Sequence, residues 1–213
     1  MTLRVRLLIL ALFAWASCFA VLAYLGTWMP FAFAGVLLVA LTLRSSAVPL
    51  AQFYPSSRWL LIGVGAGVLM VLFTHLAYAR LSAVFPAVRS ATRELLWLLN
   101  VVGVSPTARA ALIVVIASCE EVLFRGLLPG SARGAPHGLR WPTGREFRGL
   151  LLGAGAYALT TLPLASPLLV LCAFACGVVW GALRAATGSV LVPILAHVLW
   201  DLGVLLLWPL TNA

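Results

Sequence analysis

Ile116–Gly130 reads IASCEEVLFRGLLPG, two adjacent carboxylates and an arginine inside a run of residues that otherwise belongs in a lipid bilayer. A charge near the bilayer centre costs from roughly 2.5 kcal/mol upward, so such residues face a protein interior or a wet cavity and mark a functional path. The rest of the chain makes the setting unambiguous. Of its 213 residues, 63% are hydrophobic and 9% charged, with a mean hydropathy of +1.11. That mixture excludes a soluble domain and predicts an all-α, polytopic transmembrane helical bundle.

Windows of about twenty apolar residues fall at Val5–Leu25, Phe31–Leu43, Trp59–Ala79, Arg109–Leu128, Arg148–Pro163, Pro167–Leu183 and Ser189–Leu207, which gives seven predicted spans. Ala83–Val104, with Arg89, Arg93 and Glu94, is more polar; it reads as an interfacial or re-entrant helix, with an eighth span as the alternative. Residues 1–213 form one expected membrane domain with no soluble appendage. Arg4 and Arg6 before an apolar core resemble a signal peptide, but the apolar run continues through VLAYLG, favouring a retained first span.

All fourteen basic residues are arginine, and the net charge is +9. Topology accounts for them better than nucleic acid, because positive loops stay cytoplasmic. With the amino terminus inside, Arg4, Arg6, Arg44, Arg58, the loop carrying Arg133, Arg140, Arg145 and Arg148, and Arg184 share one side, while Arg80, Arg89 and Arg93 fall on the other. The expected partner is the bilayer itself, including its anionic lipids. Cys18, Cys119, Cys172 and Cys176 all lie in predicted spans without disulfide or zinc-ribbon spacing. Trp28, Trp59, Trp141 and Trp208 fall near predicted membrane boundaries, as interfacial anchors should.

Only five residues are acidic, and Glu120, Glu121 and Asp201 are in apolar spans. Residues four apart share a helix face, so Glu121 and Arg125 form an expected structural pair. Glu120 is turned by about 100° from Glu121 and keeps no sequence-local partner, which makes it the better chemical candidate. On the last span, ILAHVLWDLG places His197 and Asp201 four apart on one side. Both constellations lie about eight residues from the cytoplasmic end of their helices, or about 12 Å deep, so they are expected to face one cavity.

A carboxylate, an imidazole and a second acid at one depth permit activation of water with oxyanion stabilisation, metal-assisted hydrolysis, or a proton relay in a transporter. One imidazole is few for a zinc site, and neither metal nor cofactor is expected.

EEVLFRG matches an EExxxR motif, and TGSVLVPILAHVLWD matches a final HxxxN/D motif. In these residues the chain resembles the CAAX-protease and bacteriocin-processing (CPBP, or Abi) family of intramembrane peptidases, over about Arg109 to Leu207. The resemblance implies a glutamate-dependent endopeptidase in a bacterial cell membrane, its cavity open to the cytoplasmic side, cleaving near the carboxyl terminus of a membrane-linked protein or hydrophobic peptide. By position it makes Glu120 the base, Glu121 and Arg125 the supporting pair, and His197 and Asp201 the oxyanion side.

The departure is in the family's middle motif, FxxxH. Its best match is YALTT, Tyr157 to Thr161, which places Thr161 where the family has histidine. A hydroxyl can position water but is no base near neutral pH. Glu120 then works alone, another group substitutes, or catalysis is lost. His75 is nearer the opposite face and reads as a satisfied core residue; His137, in the arginine-rich loop, reads as solvated. Two rivals to the peptidase remain: a catalytically silent relative acting as a membrane scaffold, and a transporter with a buried acidic relay.

Overall fold

The computed structural model describes residues 1–99, 104–127 and 143–210. Eight α-helices and no strand occur among the described residues: α1 Leu3–Leu25, α2 Met29–Arg44, α3 Ser57–Val84, α4 Pro86–Leu99, α5 Pro106–Glu120, α6 Gly144–Thr160, α7 Pro167–Thr187 and α8 Leu191–Leu202. Two of them do not stop cleanly. After α5 the backbone widens into a π turn, Glu121–Gly126, and α8 does the same at Gly203–Leu207.

Local chemistry sets the ends. Ser105 and Ser166 each accept a hydrogen bond from the backbone N–H three residues on, and Pro106 and Pro167 occupy the following position, where a missing N–H costs nothing. Gly26 and Gly188 close α1 and α7 in the left-handed conformation that glycine adopts without strain. Before α6, Glu146 Oε2 accepts from both the N–H and the hydroxyl of Thr143.

By length and composition α1, α3 and α7 can each cross a membrane, and α2 and the α8 stretch Leu191–Leu207 are shorter apolar helices. Ala83–Val104 is not one element. Residues 83 and 84 finish α3, and Pro86 opens α4, because proline cannot donate within a continuing helix. The 14 residues of α4 reach about 21 Å, short of a hydrocarbon core of about 30 Å. It buries Thr92 and Leu95 and exposes Arg93, Glu94 and Trp97. Elsewhere the polarity of a soluble protein is inverted: Phe13, Phe33, Phe73, Leu61 and Leu152 stand exposed on the outside of the bundle, as lipid-facing residues do.

The helices are drawn together by small residues, as in membrane bundles generally. Gly63 and Gly67, one turn apart on α3, lie against α8 so closely that a Cβ on Gly63 would come within 2.8 Å of the Val192 carbonyl, and one on Gly67 within 2.8 Å of Leu199 Cβ. Gly177 on α7 likewise leaves room for the Arg125 guanidinium. Just before α8, the 3₁₀ turn Leu50–Phe53 is locked down through Gln52. Its carbonyl accepts from Val190 N–H at 2.9 Å and from the Ser189 hydroxyl at 3.1 Å, while its side-chain oxygen accepts from Arg184 at 2.6 Å. These contacts fix the height and rotation of α8, and therefore of His197.

Candidate active site

The π turn begins immediately after Glu120, and Glu121, Arg125 and every residue between them are buried. π turns rarely form without a functional or packing reason, and they gather at functional sites. Here α1, α5, α6, α7 and α8 converge on the two glutamates.

Glu120 is held at both oxygens. Oε1 accepts from the Trp15 indole N–H at 2.6 Å, and Oε2 accepts from the Tyr157 hydroxyl at 2.7 Å. His197 Nε2 stands 3.6 Å from Oε2. Glu121, fully buried, has Oε1 2.8 Å from His197 Nδ1 and 3.2 Å from Arg125 Nη1. The Arg125 contact is an ion-pair distance without hydrogen-bond alignment, since among the described residues neither terminal nitrogen of Arg125 has a hydrogen-bond partner. Aromatic faces supply the rest of its surroundings: the guanidinium carbon is 4.9 Å from the Tyr157 ring centre and 5.2 Å from that of Trp180, in reach of cation–π attraction.

His197 is therefore the hub. Its Nδ1 faces Glu121, its Nε2 lies between Glu120 and Asp201 Oδ2 at 3.6 and 3.4 Å, and its ring stacks on Trp180 with centres 3.5 Å apart. The Nε2 distances exceed the usual 2.7–3.2 Å of a good N–H···O bond. Nδ1 thus makes the short contact, and Nε2 has the two longer ones.

The structure brings Glu120, Glu121, Arg125, His197 and Asp201 together. It does not bring Thr161 to them by any hydrogen bond among the described residues. The Thr161 hydroxyl donates to the Ala158 carbonyl at 2.7 Å, and Thr160 does the same to Tyr157. Each satisfies its own helix end. Glu121 also differs from the sequence expectation, serving His197 as well as Arg125. Among the described residues Glu120, Glu121 and His197 are buried, and Trp180 stacks on the imidazole. A cleft of about 450 Å³ lies elsewhere, between α4, α5 and the π turn of α8, beside Arg93 and Arg109.

Three participants were not singled out from the sequence. Trp15 and Trp180 carried no reading, and Tyr157 was only the first letter of a motif. An indole N–H in an apolar span needs an acceptor, and with so few acids available that requirement was a usable signal. His75 is buried with Nδ1 2.9 Å from the Val71 carbonyl and Nε2 2.8 Å from that of Trp208, one of which its single N–H bonds when the ring is neutral. His137, Trp141 and most of the arginine-rich loop lie outside the described residues. All four cysteines are free thiols.

Residues 102–203 match the family described as type II CAAX prenyl endopeptidase, Rce1-like. Over that region the chain is similar to the CAAX-protease family. With its apolar helices, it is an integral membrane protein of helical fold. No curated protein and no solved structure matches the chain. The matched region contains both glutamates, Arg125, Tyr157, Trp180, His197 and Asp201; Trp15, which holds one oxygen of Glu120, comes from α1 outside it.

Proposed function

We propose that this protein is an intramembrane endopeptidase that cleaves near the carboxyl terminus of a membrane-linked protein or hydrophobic peptide, with Glu120 as the base. A water beside Glu120 gives its proton to the carboxylate as its oxygen attacks the scissile carbonyl. As the imidazolium, with Nδ1–H held by Glu121, His197 gives the oxyanion so formed a hydrogen bond from Nε2, whose contacts to Glu120 and Asp201 are long, at 3.6 and 3.4 Å. The proton on Glu120 then passes to the departing amine as the C–N bond breaks, which regenerates the carboxylate.

Glu121 orients the imidazole through Nδ1, and Arg125 balances its charge. Asp201 Oδ2 lies 3.4 Å from the same Nε2 and as a carboxylate would repel an oxyanion, so it holds the imidazole before the reaction and gives up Nε2 to the reacting carbonyl. The observation that carries this reading is the meeting of His197 with both glutamates, which joins residues 76 positions apart at 2.8 Å. The family's prenyl-endopeptidase description favours a lipid-modified carboxyl-terminal segment as substrate. The arginine distribution favours a cytoplasmic amino terminus, with Glu120 and His197 in the cytoplasmic half of the bundle.

The test compares the carboxyl termini of membrane proteins, by mass spectrometry, in cells carrying the native chain and cells carrying Glu120→Gln. Trimmed termini that depend on Glu120 support the reading; identical termini in the two strains sink it. A second reading, a silent relative serving as a membrane scaffold, is favoured by the threonine at position 161 and the close packing of Trp180 on His197. It predicts a cellular phenotype that Glu120→Gln leaves intact.

A further inference from the structure

From the two short hydrogen bonds at Glu120 we infer that Trp15 and Tyr157 together take the positioning role that the absent middle-motif histidine would hold, and that α1 is thereby part of the catalytic apparatus. The inference rests on the endopeptidase reading and adds to it two positioning residues.

A base that must take a proton from water needs its carboxylate held at a fixed angle. A free glutamate side chain turns about three bonds. Here one donor fixes each oxygen, at 2.6 and 2.7 Å, in surroundings where Trp15 is fully buried and Tyr157 nearly so. Each donor is braced in turn. The Trp15 ring meets Phe31 and Phe124 edge to face at 5.7 and 5.6 Å, and Tyr157 lies between Phe124 at 5.1 Å and the Arg125 guanidinium. Both donors are neutral, and each takes one acceptor site of one oxygen, so a further site on each oxygen stays available to water. Position 161 cannot contribute in the same way, because its hydroxyl is spent on Ala158. Tyr157, one turn earlier on the same helix, reaches the carboxylate instead.

Two nearly isosteric changes remove the donors without opening a cavity: Tyr157→Phe, and replacement of the Trp15 indole by benzothiophene through the amino acid β-(3-benzothienyl)alanine. Difference infrared spectra against Glu120→Gln identify the Glu120 carboxylate bands. Loss of either donor is expected to shift those bands and to lower kcat on the order of 10- to 100-fold, the scale of a misplaced catalytic group, with KM little changed. The substrate is the protein whose terminus depends on Glu120 in the cellular comparison. Unchanged bands would show that the donors do not hold Glu120, and shifted bands with unchanged kcat would show that holding it does not serve the reaction. Either result overturns the inference. If the native chain cleaves nothing, the endopeptidase reading fails and the inference with it; shifted bands would then show only that the two donors brace a buried acid.

Discussion

Nδ1 of His197 lies 2.8 Å from Oε1 of Glu121, so the imidazole that faces Glu120 is aimed by the neighbouring glutamate. The same oxygen stands 3.2 Å from Arg125 Nη1. One carboxylate thus ties α8 to the π turn. Removing it strands both a buried imidazole and a buried guanidinium, whereas an amide keeps an acceptor for Nδ1. Glu121→Ala is therefore expected to cost about 3–5 kcal/mol, the scale for a broken buried ion pair, and Glu121→Gln less. Thermal melting in detergent checks the order; equal losses would mean that the carboxylate holds nothing its volume alone does not.

Arg125→Ala should also reduce the folded fraction, since it leaves Glu121 without its cation. Residues in one network do not act additively. The double variant Glu121→Ala with Arg125→Ala is accordingly expected to lose less than the two single losses combined, by about 0.5–3 kcal/mol. Strict additivity would show that the 3.2 Å contact carries no energy.

The helical fold and the two motifs were legible because charges in apolar spans are few. Glu120, Glu121, Arg125, His197 and Asp201 stand out against residues such as Leu, Val and Ala, and helical spacing alone puts Glu121 with Arg125 and His197 with Asp201. What spacing could not give was the link between helices. That Glu121 reaches His197 depends on the rotation of α8, which is set by close glycine contacts on α3 and by the Gln52 clasp, features that read as ordinary loop and span residues. The π turn was equally hidden, since no residue type marks it. Tyr157 was illegible because the motif marks position 161, one turn away, and spacing alone does not show which hydroxyl of α6 reaches the acid.

The glycine contacts give a prediction with an internal control. A Cβ at position 67 would lie 2.8 Å from Leu199 Cβ and 3.0 Å from the Ala196 carbonyl, on either side of His197 in the chain, while one at position 65 would meet nothing within 4 Å. Gly67→Ala is expected to cost about 1–3 kcal/mol by overpacking and to lower cleavage by displacing α8. Gly65→Ala should be neutral, or stabilising by about 0.5–1 kcal/mol from the better helix former. Matching melting curves for the two variants would show that α8 is not seated on Gly67.

Among the described residues no group of three or more His, Cys, Asp or Glu side chains is placed to hold a metal ion. A glutamate base needs none. Cleavage is expected to survive dialysis against a chelator, with the purified protein carrying less than stoichiometric zinc by elemental analysis. Activity lost on chelation and restored by zinc alone would replace the glutamate mechanism with a metal one.

The last prediction restores the family's histidine. Thr161 is almost fully buried, and its hydroxyl closes the end of α6 on the Ala158 carbonyl. An imidazole there adds volume to a packed site and removes that bond, so Thr161→His is expected to cost about 1–3 kcal/mol in stability. Its effect on turnover depends on what Glu120 already has. With Trp15 and Tyr157 occupying both oxygens, a further donor has little left to orient, and turnover in the native background should stay within a few-fold of its starting value. In Tyr157→Phe one oxygen is released, and there Thr161→His should recover part of the lost kcat. The measurement is the rate of release of the carboxyl-terminal fragment in the four combinations, with Glu120→Gln as the blank. A rise of about 10²-fold or more in the native background, the scale of an added general base, would mean that the two neutral donors are an incomplete substitute for imidazole.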